Sequence, residues 1–76
     1  MRELNFYAYA PGPDGIDQVF SVYKRGSTFE VCGPNFETHT CHPATTTRSK
    51  VLGEIGLVYG ISITKTEEPS DGASGA

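Results

Sequence analysis

Apolar and polar residues alternate in three successive short runs of this chain, and each run is closed by a turn signal. Over residues 3–10, Leu4, Phe6 and Ala8 alternate with Asn5, Tyr7 and Tyr9. Over Gln18 to Lys24, Phe20 and Val22 define one face and Val19, Ser21 and Tyr23 the other. Over Thr28 to Cys32, Phe29 and Val31 alternate with Thr28, Glu30 and Cys32. A period of two is the mark of a strand buried on one side only. Pro11-Gly12-Pro13-Asp14-Gly15, Arg25-Gly26-Ser27 and Gly33-Pro34-Asn35 separate or end the runs, and such short links favour an antiparallel meander.

Only one stretch has helical spacing. Between about Thr46 and Tyr59 the apolar residues Val51, Leu52, Ile55, Val58 and Tyr59 form a single stripe. Thr45-Thr46-Thr47 offers capping oxygens at its start, and Gly60 stands where a left-handed residue ends a helix. Gly53 and Gly56 each lower helix propensity by about 1 kcal/mol relative to alanine. Ile61 to Thr66 reads as a last strand with Ile61 and Ile63 facing inward. Residues 36–44 fit either a short strand or an extended connection, and Pro43 favours an extended His42. The expected fold is α+β: a single small domain over 1–66, with an antiparallel sheet in the order β-β-β-α-β and one helix packed on one face. That helix would cover Leu4, Phe6, Phe20, Val22, Phe29, Val31, Ile61 and Ile63. Residues 67–76 have the composition of a disordered acidic tail.

Charge narrows the functional classes. The formal net charge is -3, and residues 1–66 hold six acids and six bases, so the excess belongs to Glu67, Glu68 and Asp71. A neutral body gives little of the phosphate neutralisation that drives non-specific nucleic-acid binding. Such binding would need Lys24, Arg25, Arg48 and Lys50 gathered on one face. No run approaches the roughly 20 apolar residues of a membrane span. The N-terminal residues lack the apolar core of a secretory signal, so a cytoplasmic location is expected, with no membrane partner. A chain of 76 residues buries only about 60 % of its unfolded surface, which leaves little room for an enclosed catalytic pocket. A non-enzymatic binding module without a cofactor, monomeric or homodimeric, is therefore expected.

Two groups of side chains could carry function. Tyr7, Tyr9, Val19 and Tyr23 point away from the expected helix, and with Glu30 they form the candidate partner-binding surface. Tyrosine joins apolar area to a polar tip and is enriched at interfaces; it is also a common strand residue whose cross-strand pairs stabilise sheets. Cys32, His39, Cys41 and His42 are four zinc-competent residues within eleven positions. Their spacing, C-x6-H-x-C-H, is not that of a paired knuckle, and on an extended strand His39 and Cys41 share a face while His42 points the other way. Cys41 beside His39 or His42 also has the residue types of a nucleophile and base. Thr45 to Lys50 could hold an anion, or serve as ordinary capping with two solvated bases. In the cytosol both cysteines are expected to be reduced.

In size, acidity and order of elements the chain resembles small phage-encoded inhibitor proteins, many anti-CRISPR inhibitors among them. No motif enters into this resemblance and it assigns no residue. It implies a stoichiometric inhibitor acting in a bacterial host cell, which blocks a large defence complex by occupying its protein surface. Set against it are a small zinc-binding domain, a nucleic-acid-binding regulator and a self-associating structural component.

Overall fold

The computed structural model describes residues 2–34 and 36–69. Over these described residues the chain is an α+β domain: one five-stranded antiparallel sheet with one helix. The strands are β1 (Glu3–Pro11), β2 (Asp17–Arg25), β3 (Thr28–Gly33), β4 (Phe36–Thr40) and β5 (Lys65–Glu67), and α1 (Arg48–Tyr59) lies between β4 and β5 in the chain. Their order across the sheet is β4-β3-β2-β1-β5. Every connection among the first four strands is a hairpin, which needs only a few residues when neighbours run antiparallel.

The alternation of the three runs becomes burial. Phe6, Ala8, Phe20, Val22 and Val31 are completely buried, and Phe29 nearly so. From the helix only Val51 and Ile55 are fully buried, with Leu52 partly buried beside them. Full burial of a side chain of that size is worth about 1.5–3 kcal/mol, so two residues anchor the helix. Thr47 caps its N-terminus by accepting from the Lys50 N–H at 3.3 Å. Gly60 ends it at φ 67°, a left-handed geometry that glycine adopts without a Cβ penalty, and its N–H donates to the Gly56 carbonyl. The stripe does not stay inside to its end, because Val58 is 55 % and Tyr59 38 % exposed.

The structure departs from the expected pattern at four points. The stretch that fitted either a strand or a connection is a strand over Phe36–Thr40, giving the order β-β-β-β-α-β. A register shift between Leu4 and Phe6 places Leu4 opposite Tyr23 and Phe6 opposite Val22. Asn5 is the extra residue of this irregularity, and it moves Leu4 to the face away from the helix. The last strand is only three residues long. Ile61 and Ile63 lie before it and pack half-buried against the core, while the chain descends from the helix layer to the sheet edge. The ordered chain also continues past Thr66: Glu67 belongs to β5, and Arg48 holds Glu68 in a two-pronged ion pair whose longer arm is 2.9 Å. Residues 70–76 of the expected tail lie outside the described residues, as does Asn35 of the expected turn.

Two glycines give opposite expectations. A Cβ on Gly33 would lie 2.6 Å from Phe20 Cδ2 and 2.8 Å from Phe36 Cζ, so β3 approaches the aromatic core too closely for any side chain. A Cβ on Gly53 would meet nothing within 4 Å. Gly33→Ala is expected to destabilise by roughly 1–3 kcal/mol through overpacking. Gly53→Ala is expected to stabilise by about 1 kcal/mol through helix propensity. Urea unfolding of both variants checks the two signs.

Candidate functional site

Two surfaces gather the chemistry-bearing residues, one on each side of the sheet. On the helix side, β4 carries an extra residue: Val31 pairs with His39 and Gly33 with Phe36, two steps on β3 against three on β4. Phe36 and His39 therefore both face the helix. Cys41 follows β4, and its N–H donates to the Phe29 carbonyl at 2.9 Å, which keeps it in line with the strand and on the same side as His39. Its side chain is buried, at 2 % exposure.

The helix supplies the third member. Glu54 precedes the buried Ile55, and its carboxylate turns towards the end of β4. It accepts from His39 Nε2 at 2.5 Å, from the Thr45 hydroxyl at 2.6 Å and from the His42 N–H at 3.2 Å. Burial pushes the Glu54 carboxyl up, but the hydrogen bonds from Thr45, His39 and His42 outweigh it and hold the group below its ordinary value. On the other edge of the His39 ring, Nδ1 is 3.1 Å from the Tyr59 hydroxyl. The Tyr59 ring stacks on Phe36 at 4.1 Å between centroids, with 7° between the planes. His39 and Glu54 are thus each held by further partners. The metal-competent atoms of His39, Cys41 and Glu54 lie within 4.8 Å of one another.

The four zinc-competent residues read from the sequence do not converge. His39 and Cys41 share a face, as their spacing requires. Cys32 stands opposite Ser21 on the other side of the sheet, beside Thr38 and Arg2. The imidazole of His42 turns back on its own loop and accepts from the Ala44 N–H at 3.0 Å. Glu54 takes their place, and the sequence reading missed it together with Thr45 and Tyr59. The signal was present: Glu54 lies three residues after Val51 and one before Ile55, so it falls on the apolar stripe of the helix. Thr45, read as part of a cap or anion site, is buried and committed to Glu54. Both cysteines are free thiols. Burial, followed by the nearby Glu54 charge, pushes the Cys41 thiol up to about 11. Because the thiolate is the nucleophilic form, Cys41 is poorly suited to attack at neutral pH.

Among the described residues, no helix covers the opposite side of the sheet. Tyr9 pairs with Val19, Tyr7 with Ser21, and Tyr23 with both Leu4 and Glu30, so the five candidate partner-binding residues share this face across β1, β2 and β3. Val19 is 46 % exposed and the tyrosines are half-buried. The Lys65 ammonium lies 4.7 Å from the Tyr9 ring centroid, and the Tyr9 hydroxyl donates to Glu67 at 2.5 Å, a bond that holds the Tyr9 phenol above its ordinary value. At the other end, the Arg2 guanidinium lies 4.1 Å from the Tyr23 ring centroid, and Glu30 pairs with Arg25 at 3.0 Å and Arg2 at 3.4 Å. Of the four bases that a nucleic-acid surface would need, Arg25 and Arg48 are ion-paired.

Comparison of the chain with family models, with curated proteins and with solved structures returns no match. Among the described residues, no helix is long and apolar enough to cross a membrane.

The two thiols should differ sharply in reactivity. Iodoacetamide at neutral pH is expected to modify Cys32 and spare Cys41 in the folded protein, and to modify both in denaturant. Peptide mass spectrometry reads the sites, and equal labelling of the folded protein would contradict the burial of Cys41.

Proposed function

We propose that this protein is a non-enzymatic protein-binding module that offers the uncovered face of its sheet to a partner. The observation that carries the reading is the stripe formed by Tyr9, Val19, Tyr7 and Tyr23 on the neighbouring strands β1 and β2. Charged groups stand at both ends of the stripe: Lys65 and Glu67 beside Tyr9, and Arg2, Arg25 and Glu30 beside Tyr23. Rigid aromatic side chains at the centre of a patch, with ion pairs at its rim, are the arrangement in which a few anchors supply most of the binding energy. The strands behind the stripe are fixed by the buried core, so little ordering would be needed on association.

The resemblance to small phage-encoded inhibitors gives this binding a specific form. The partner would be a large bacterial complex, and the protein would act in stoichiometric amounts by occupying a surface that the complex needs. The charge distribution supports recognition of a protein over imitation of DNA, because the acids on the open face are matched by bases.

Capture from bacterial lysate with tagged full-length protein tests the proposal. The wild type is expected to retain a stoichiometric partner through a high-salt wash. The double variant Tyr7→Ala with Tyr9→Ala is expected to keep the wild-type circular dichroism and lose that partner. Leu57→Asp, at a helix position 88 % exposed, is expected to bind as the wild type does. Loss of binding in Leu57→Asp with retention in the tyrosine variant would move the surface to the helix end and contradict the proposal.

A further inference from the structure

The cluster of His39, Cys41 and Glu54 has no part in the open-face reading, yet it has the composition and outer support of a metal centre. It combines an imidazole nitrogen, a thiol sulfur and a carboxylate oxygen, drawn from β4, the segment following it and the facing helix. Tetrahedral zinc takes these donors at about 2.0–2.3 Å, which sets neighbouring ligand atoms roughly 3.3–3.8 Å apart. The three donors lie within 4.8 Å of one another, so modest side-chain adjustments would bring them to that spacing.

The surroundings are those a metal centre uses. A ligating imidazole is normally oriented by a partner on its other nitrogen, and a ligating carboxylate by further hydrogen bonds. Here the Tyr59 oxygen stands 3.1 Å from His39 Nδ1 and can accept a proton held there, which leaves the Nε2 lone pair free. Thr45 and the His42 N–H hold the Glu54 carboxylate from the other side. The His39 and Glu54 side chains are 16 % and 18 % exposed, so the cluster touches solvent while Cys41 closes it from within.

We propose that His39 Nε2, Cys41 Sγ and the Glu54 carboxylate bind one divalent transition-metal ion of the zinc type, with water in the fourth position. Binding replaces the direct His39–Glu54 hydrogen bond, moves the proton of a neutral His39 to Nδ1 and releases the thiol proton of Cys41 to solvent. The sulfur donor selects against calcium and magnesium, which take oxygen ligands. The ion would tie the edge strand β4 to the helix that covers the core, and by mass action it would stabilise the folded state.

Cobalt(II), added to the metal-stripped full-length protein, is the probe. The wild type is expected to bind one equivalent with a thiolate-to-cobalt absorption band and tetrahedral visible bands, all lost on adding zinc. Cys32→Ser is expected to leave these bands unchanged, and Cys41→Ala to abolish the thiolate band. Tyr59→Phe should keep the stoichiometry while lowering affinity about tenfold or more, the usual cost of losing an outer-layer partner. Should Cys41→Ala fail to fold, Glu54→Gln decides by the same titration: loss of tight binding supports the site, and unchanged affinity overturns it. Absence of the bands in the wild type, or their survival in Cys41→Ala, also overturns it.

Discussion

Val51 and Ile55 bury their side chains completely in the same cluster as Phe6, Phe20, Val22 and Val31, and this helix-on-sheet contact organises the molecule. One helix of twelve residues can cover only one face of a five-stranded sheet. The apolar members of each strand therefore go beneath it, and the alternate members, the three tyrosines among them, are left on the other side. An antiparallel sheet tolerates such a division, because its open face can meet water or a partner. The separation of a packed face from an uncovered face is thus a consequence of how little helix the described residues contain.

The same contact accounts for the cluster at the end of β4. Once Ile55 is buried, Glu54 beside it must lie along the boundary between helix and sheet. A carboxylate there loses water and requires donors, and His39, Thr45 and the His42 N–H provide them. The Phe36 and Tyr59 rings stack on each other, the Tyr59 ring meets the imidazole edge-on, and together they secure the edge strand β4 to the helix. At the other end of the helix, Arg48 lies 4.5 Å from the buried Phe6 ring centroid and pairs with Glu68 beyond β5. The helix is therefore pinned at each end to an opposite edge of the sheet by polar contacts, and in the middle by two apolar side chains.

Alternation in the first three runs identifies β1, β2 and β3 and nearly all their buried residues, because burial on one face imposes a period of two. Gly60 is readable as a helix end because few other residues adopt its geometry. Leu4 is misplaced by the same alternation: one extra residue at Asn5 inverts the pattern, and nothing local marks it. The strand over Phe36–Thr40 is obscured for the same reason, since its extra residue puts Phe36 and His39 on one face at an odd spacing. Ile61 and Ile63 do face inward, but as a descending connection, which apolar content alone does not separate from a strand. At the cluster, the shared face of His39 and Cys41 follows from spacing. The exclusion of Cys32 depends on strand pairing, and the arrival of Glu54 depends on how the helix lies across the sheet.

We propose that the uncovered face, and not the helix end, meets a partner protein. The four tyrosines are natural reporters, since Tyr7, Tyr9 and Tyr23 lie on that face and Tyr59 lies at the end of the helix over the cluster. The most direct measurement is an NMR titration of tyrosine-ring-labelled protein with its captured partner. Binding through the uncovered face predicts that the ring signals of Tyr7, Tyr9 and Tyr23 shift or broaden while that of Tyr59 stays in place. Movement of Tyr59 alone, with the other three unchanged, would contradict it.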